Sequence, residues 1–171
     1  PTGPRSLKLR DPDVSRPSTD EALAFLPVTH LAKLVKTGQV KPSELTELYL
    51  ARLARHDPAL HCVVSLTADL ARAQAKQADA EIAAGKYRGA LHGIPFGLKD
   101  LFAVRGTKTT WGASPYKEQI IDVDSTVYVR LRDAGAILVA KLSSGALALT
   151  AQWFGGITRN PWNTAQDAAG S

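Results

Sequence analysis

The sequence contains no methionine and a single cysteine, Cys62. One cysteine cannot form an internal disulfide framework or a multi-cysteine zinc site. Its setting, His61-Cys62-Val63-Val64, reads as a buried strand, where a thiol serves as a small inert hydrophobe. The histidines, His30, His56, His61 and His92, form no i, i+4 pair and no HExxH pattern. No metal or other cofactor is expected. No run of about 18 apolar residues occurs, so the residues given hold no membrane-spanning helix. The opening PTGPRSLKLRDPDVSRPSTDEA has no apolar core for a signal peptide. A cytoplasmic location is the expectation, with an exported form whose signal has been removed as the alternative. A basic run with interleaved aromatics is also missing. Lys and Arg total 21 against 16 Asp and Glu, but Lys33, Lys36, Lys41, Arg130 and Arg132 are scattered. They describe a solvated surface, and nucleic-acid binding is not expected from them.

What is present suits one folded unit. At 44% hydrophobic and 22% charged residues, 171 residues can bury a core. Residues 1–20, rich in Pro, Ser, Asp and Arg, read as an extended arm, and residues 21–171 as the N-terminal part of a single domain expected to continue beyond the residues given. A first helix is predicted from Val28 to Thr37, ended by Gly38. Ser43 is placed as the N-cap of a second, which Asp57-Pro58 stops. Cys62 to Leu66 reads as a strand, and Thr67 or Asp69 opens an Ala-rich helix ending at Gly85. A helix over 125–134 precedes the run AILVAKL, a buried strand of the kind parallel sheets use. This order predicts an α/β fold, a mixed β-sheet covered by α-helices.

Two segments carry candidate chemistry. Lys99 ends the apolar stretch Ile94-Pro95-Phe96-Gly97-Leu98 and precedes Asp100. A lysine enclosed in this way is partly desolvated, which favours the neutral amine that a base requires. The alternative is a surface lysine paired with Asp100. The second segment runs from Thr158-Arg159-Asn160-Pro161-Trp162-Asn163, with a turn at Asn160-Pro161, to Ala168-Ala169-Gly170-Ser171. Ser143-Ser144-Gly145 reads as a strand-to-helix cap.

Together these segments resemble one family. LHGIPFGLKDLF is similar to the lysine motif of the amidase signature family, written around GIPxxxKD. RGTKTTWGAS resembles its next segment, STVYVRLRDAGAILVAKLS its following helix and strand, and TRNPWN its element before a Gly/Ser-rich signature. LAKLVKTGQVKPSELTELYLARLARHDP resembles its N-terminal helices. The resemblance covers residues 28–171 in order. Ala168-Ala169 departs from it, standing where the family often has Pro-Gly or Gly-Gly.

The resemblance implies a Ser-cisSer-Lys triad. Lys99 matches the family lysine, and Ser171 the bridging serine with a cis peptide bond. The nucleophile and oxyanion hole are expected beyond residue 171. The implied activity is hydrolysis of a small-molecule carboxylic amide through a serine acyl-enzyme. No cofactor and no membrane partner are expected, with a homodimer as one option. One alternative is the amidase-like subunit of a glutamine-dependent aminoacyl-tRNA amidotransferase, which would bring tRNA into play. Another is a non-catalytic interaction domain of the same fold.

Overall fold

The computed structural model describes residues 12–169. Residues 12–19 carry neither helix nor strand. A short helix that the sequence pattern does not signal, α1 (Asp20–Ala24), opens on Thr19, whose side chain accepts from Ala22 N. Helix α2 (Val28–Lys36) lies where the apolar spacing puts it, burying Leu31, Leu34 and Val35.

Helix α3 (Pro42–Leu60) differs from expectation at both ends. Its N-cap is Lys41 and not Ser43. Pro42 takes the first helical position, where its missing N–H costs nothing and its fixed φ suits the helix. Ser43 N instead donates to Asp79 Oδ1 at 3.2 Å. At the other end Asp57-Pro58 does not stop the helix, because the chain leaves it only at His61, in the left-handed region at φ 50°. Asp57 organises that exit. Its carbonyl accepts from His61 N at 2.8 Å. Its Oδ1 accepts from Cys62 N at 2.7 Å and Val63 N at 2.8 Å.

Strand β1 (Val63–Leu66) leads into helix α4 (Ala68–Ala83). Ala71, Ala75 and Ala78 form the buried stripe of α4, and their small side chains let the helix approach the sheet closely. Strand β2 (Pro95–Lys99), helix α5 (Thr126–Asp133) and strand β3 (Ile137–Leu142) follow. Ser125 caps α5 by accepting from Tyr128 N.

The sheet order is β1-β3-β2. Strand β3 pairs antiparallel with β1 and parallel with β2, so the sheet is mixed. One face of β3 packs Ile137 and Val139 against Leu50 of α3 and Ala71 and Ala75 of α4. Leu138 packs with Leu98, Val104 and Tyr128 of α5. Leu23, Leu34, Val35, Leu45 and Ile94 hold α1, α2 and α3 together in a further cluster. The expected α/β fold, a mixed sheet covered by helices, is therefore present.

After β3 come two small antiparallel pairs, β4 (Gln152–Trp153) with β5 (Gly156–Ile157), and β6 (Arg159–Asn160) with β7 (Asn163–Asp167). The turn expected at Asn160-Pro161 joins β6 to β7, with Trp162 N donating to Asn160 Oδ1 at 2.9 Å.

Candidate active site

Lys99 is the last residue of β2 and faces Leu142, the last residue of β3, across the parallel pair. In open α/β sheets, ligands bind beyond the carboxyl ends of the strands. Side chains alternate along β2, so Phe96 and Leu98 turn to the α5 side while Gly97 and Lys99 take the other. A Cβ on Gly97 would lie 2.5 Å from Leu142 Cδ1. Glycine there lets the leucine close over the strand beside Lys99.

Asp100, one residue on, is fully buried. It does not serve as a surface partner for Lys99. Its Oδ1 accepts from Lys141 Nζ at 2.7 Å. Its Oδ2 accepts from Thr110 N at 2.8 Å and from the Thr110 hydroxyl. Lys141 is fully buried too, and it also donates to the Lys108 carbonyl at 2.9 Å and Thr109 Oγ1 at 3.3 Å. An ammonium has three donors, and here each has an acceptor. Burial pulls the Lys141 ammonium below its ordinary range, and Asp100 pulls it back.

The β2–β3 register explains how a lysine in an apolar run reaches this place. Leu138 pairs with Phe96 and Ala140 with Gly97, skipping Val139. The irregularity brings Lys141 opposite Leu98, on the side of Asp100, where strict alternation from Leu138 would have turned it away. Sequence reasoning missed both Lys141 and the anchoring role of Thr110. The usable signals were a lone lysine inside AILVAKL and the adjacent pair Thr109-Thr110, both fully buried.

The segment leading to Ser171 returns to the same strand ends. Ser143, directly after Leu142, has its Oγ 2.7 Å from Thr158 Oγ1. The Thr158 hydroxyl donates to His61 O at 3.0 Å, so it accepts from Ser143. Thr158 O then accepts from Ala168 N at 2.9 Å. Ser143 and Ser144 cap no helix. A 3-10 turn, Ala146–Ala148, follows Gly145, and the Ser144 hydroxyl donates to Gly145 O at 3.1 Å. Ser171 itself, with the expected cis bond before it, lies outside the described residues.

The loop of residues 108–112 braces this region. Trp111 O accepts from Leu147 N at 2.8 Å and Gly112 O from Phe154 N at 3.1 Å. Gly112 adopts φ +69°, and a Cβ there would sit 1.9 Å from Ser144 O. Among the described residues, no group of three or more His, Cys, Asp and Glu could hold a metal ion.

Fold and site geometry define an α/β protein with a mixed sheet and a buried ion pair behind the strand end that carries Lys99. The chain belongs to the amidase family, whose family model matches residues 44–171. Its sequence is 37% identical over 144 residues to a glutamyl-tRNA(Gln) amidotransferase subunit of Acidothermus cellulolyticus, covering 82% of this chain and 28% of that protein. It is 40% identical over 124 residues to the putative amidase AmiD of Mycobacterium tuberculosis, covering 72% of this chain and 26% of the relative. Native peptide amidase from Stenotrophomonas maltophilia superposes with a TM-score of 0.81 at 33% identity, over 86% of this chain and 32% of that one. The chain thus spans roughly a quarter to a third of the relatives it matches.

Proposed function

We propose that this chain contributes Lys99 and Ser171 to an amide hydrolase working through a serine acyl-enzyme. The observation that carries the reading is the return of the signature segment to the end of β3. Ala168 is bound to Thr158, and Thr158 to Ser143, the residue after the register partner of Lys99. In the proposed reaction a nucleophilic serine, supplied by sequence after position 171, attacks the amide carbonyl. Its proton passes through the Ser171 hydroxyl to a neutral Lys99 and then to the departing ammonia or amine. Water attacks the resulting ester, releasing the acid and restoring the serine. The test is hydrolysis of simple aryl amides by the full-length protein and by Ser171→Ala and Lys99→Ala. Loss of turnover by orders of magnitude in both supports the reading. Wild-type turnover in either variant overturns its role assignment.

A second reading draws on the similarity to the glutamyl-tRNA(Gln) amidotransferase. On this reading the amide is glutamine, and the ammonia passes to a partner protein. Glutamine hydrolysis that appears only on adding the other components of such a complex, without turnover of aryl amides, separates it from the stand-alone amidase.

A further inference from the structure

We propose that Asp100 and Lys141 form a positioning unit that fixes the direction in which Lys99 leaves the end of β2, acting on the proposed amide hydrolysis without touching substrate. The inference rests on Lys99 being the base. Its ground is the extent to which residue 100 is immobilised. Asp100 N donates to Leu142 O at 2.8 Å, and Asp100 O accepts from Trp111 N at 3.2 Å. Both carboxylate oxygens are taken, one by Lys141 at 2.7 Å and the other by Thr110. The backbone N–H and carbonyl of residue 100 and both its carboxylate oxygens are thus engaged, and these bonds restrain the preceding Cα of Lys99. Lys99 is fixed from its other side by the pairing of Leu98 with Lys141.

Stability alone is a poor reason for this arrangement. Two fully buried opposite charges hold a protein together less efficiently than apolar side chains of similar volume. The strand around them is already apolar on every other buried position, from Ile137 to Ala140. What the charges add is direction. A hydrogen-bonded carboxylate resists small rotations that an apolar contact tolerates. The same network holds the loop of residues 108–112, which braces Leu147 and Phe154 on the way to the signature segment. One ion pair therefore sets the base and the backing of its proposed relay in a common frame.

The experiment compares full-length wild type with Lys141→Met, the apolar double variant Asp100→Leu/Lys141→Met, and Thr110→Val, using an aryl amide as the probe. The double variant is expected to melt close to wild type, because neither charge is left alone. Its kcat is expected to fall about 100-fold, the scale of a one-ångström misplacement, while KM stays within about threefold. A double variant with wild-type melting and wild-type kcat overturns the proposal. Should it fail to fold, Thr110→Val decides, because it removes the hydroxyl that donates to Asp100 and accepts from Gly112 N while leaving the ion pair in place. A lowered kcat with unchanged KM then supports the positioning role, and an unchanged kcat overturns it. Lys99→Ala is run alongside. Full activity in that variant defeats the base assignment itself, whereas an inactive Lys99→Ala beside a fully active double variant defeats the positioning role alone.

Discussion

Asp100 directs its carboxylate to Lys141, 41 residues away, at 2.7 Å, with both side chains sealed from solvent. The sequence neighbour Lys99 and the distant Lys141 therefore have separate duties. Lys141 neutralises Asp100 inside the fold, and Lys99, half-buried, stands at the end of the strand.

Removing one member of this pair leaves the other charge buried without compensation. Lys141→Met should cost about 3 to 5 kcal/mol of stability, and Asp100→Leu added to it should recover most of the loss. Urea denaturation of the single and double variants measures both. Equal stability of wild type and Lys141→Met would mean that the buried carboxylate finds another partner.

Cys62 should be a slow thiol. Burial, and next the neighbouring Asp57 carboxylate, push its pKa up to about 11. Thiolate is the reactive species, so alkylation of the folded protein at pH 8 should lag far behind that of a free cysteine. The rate should climb only as pH approaches 11. Asp57→Asn should raise the rate at pH 8 by removing the charge that opposes the thiolate. Iodoacetamide labelling followed by mass spectrometry checks this, and rapid labelling of wild type at pH 8 contradicts it.

His92 should make the fold weaker in mild acid. It is buried, its Nδ1 accepts from Arg88 N at 3.1 Å, and its Nε2 lies 3.2 Å from Glu81 Oε2 without hydrogen-bonding alignment. Burial depresses its pKa in the fold, an effect that Glu81 only partly offsets. The unfolded chain therefore takes up a proton first as pH falls through about 6.5. From there down to its folded pKa, this group lowers stability by up to about 1.4 kcal/mol per pH unit. His92→Asn keeps an acceptor for Arg88 N but does not titrate, so its stability between pH 7.5 and 5.5 should be flatter than that of wild type. Glu81 acts lower down. Its hydrogen bonds from Arg88 and then Gln77 hold its pKa at about 2, so its contribution is lost as pH falls from about 4.5 toward 2. Parallel stability profiles for wild type and His92→Asn would refute the role given to His92.

The elements that depend on local pattern were legible in the sequence. Leu31, Leu34 and Val35 mark α2, the alanines mark α4, and AILVAKL marks β3, because periodicity and composition act within a few residues. Lys99 was legible as a candidate through its motif, and Asn160-Pro161 as a turn. Lys141 was not. Its burial depends on a register irregularity against β2 and on acceptors at 108, 109 and 100, none of them local. The end of α3 was misread for a similar reason. Pro58 signals termination, but Asp57 gathers the N–H groups of Cys62 and Val63 and carries the exit on to His61. Ser43 looked like a cap because its residue type suits one, yet Pro42 starts the helix one residue earlier, and Ser43, already inside its first turn, gives its N–H to Asp79 of α4.

Lys99→Arg is the sharpest test of the candidate site. A base has to give up a proton before it can accept one. A guanidinium keeps its charge at any working pH, whereas an amine can become neutral. If Lys99 takes the proton relayed through Ser171, Lys99→Arg in the full-length protein should be nearly as inactive as Lys99→Ala, with amide hydrolysis lower by several orders of magnitude. If Lys99 supplies only positive charge at the end of β2, arginine should replace it well, since an exposed pair is worth about 0 to 1 kcal/mol and is indifferent to which cation provides it. The fold should survive either substitution, because the buried neighbour of Lys99 is held by Lys141 and Thr110. Circular dichroism and the thermal midpoint verify that before any rate is compared. Hydrolysis by Lys99→Arg within a few-fold of wild type would remove Lys99 from the chemistry, and a folded, inactive Lys99→Arg would place it there.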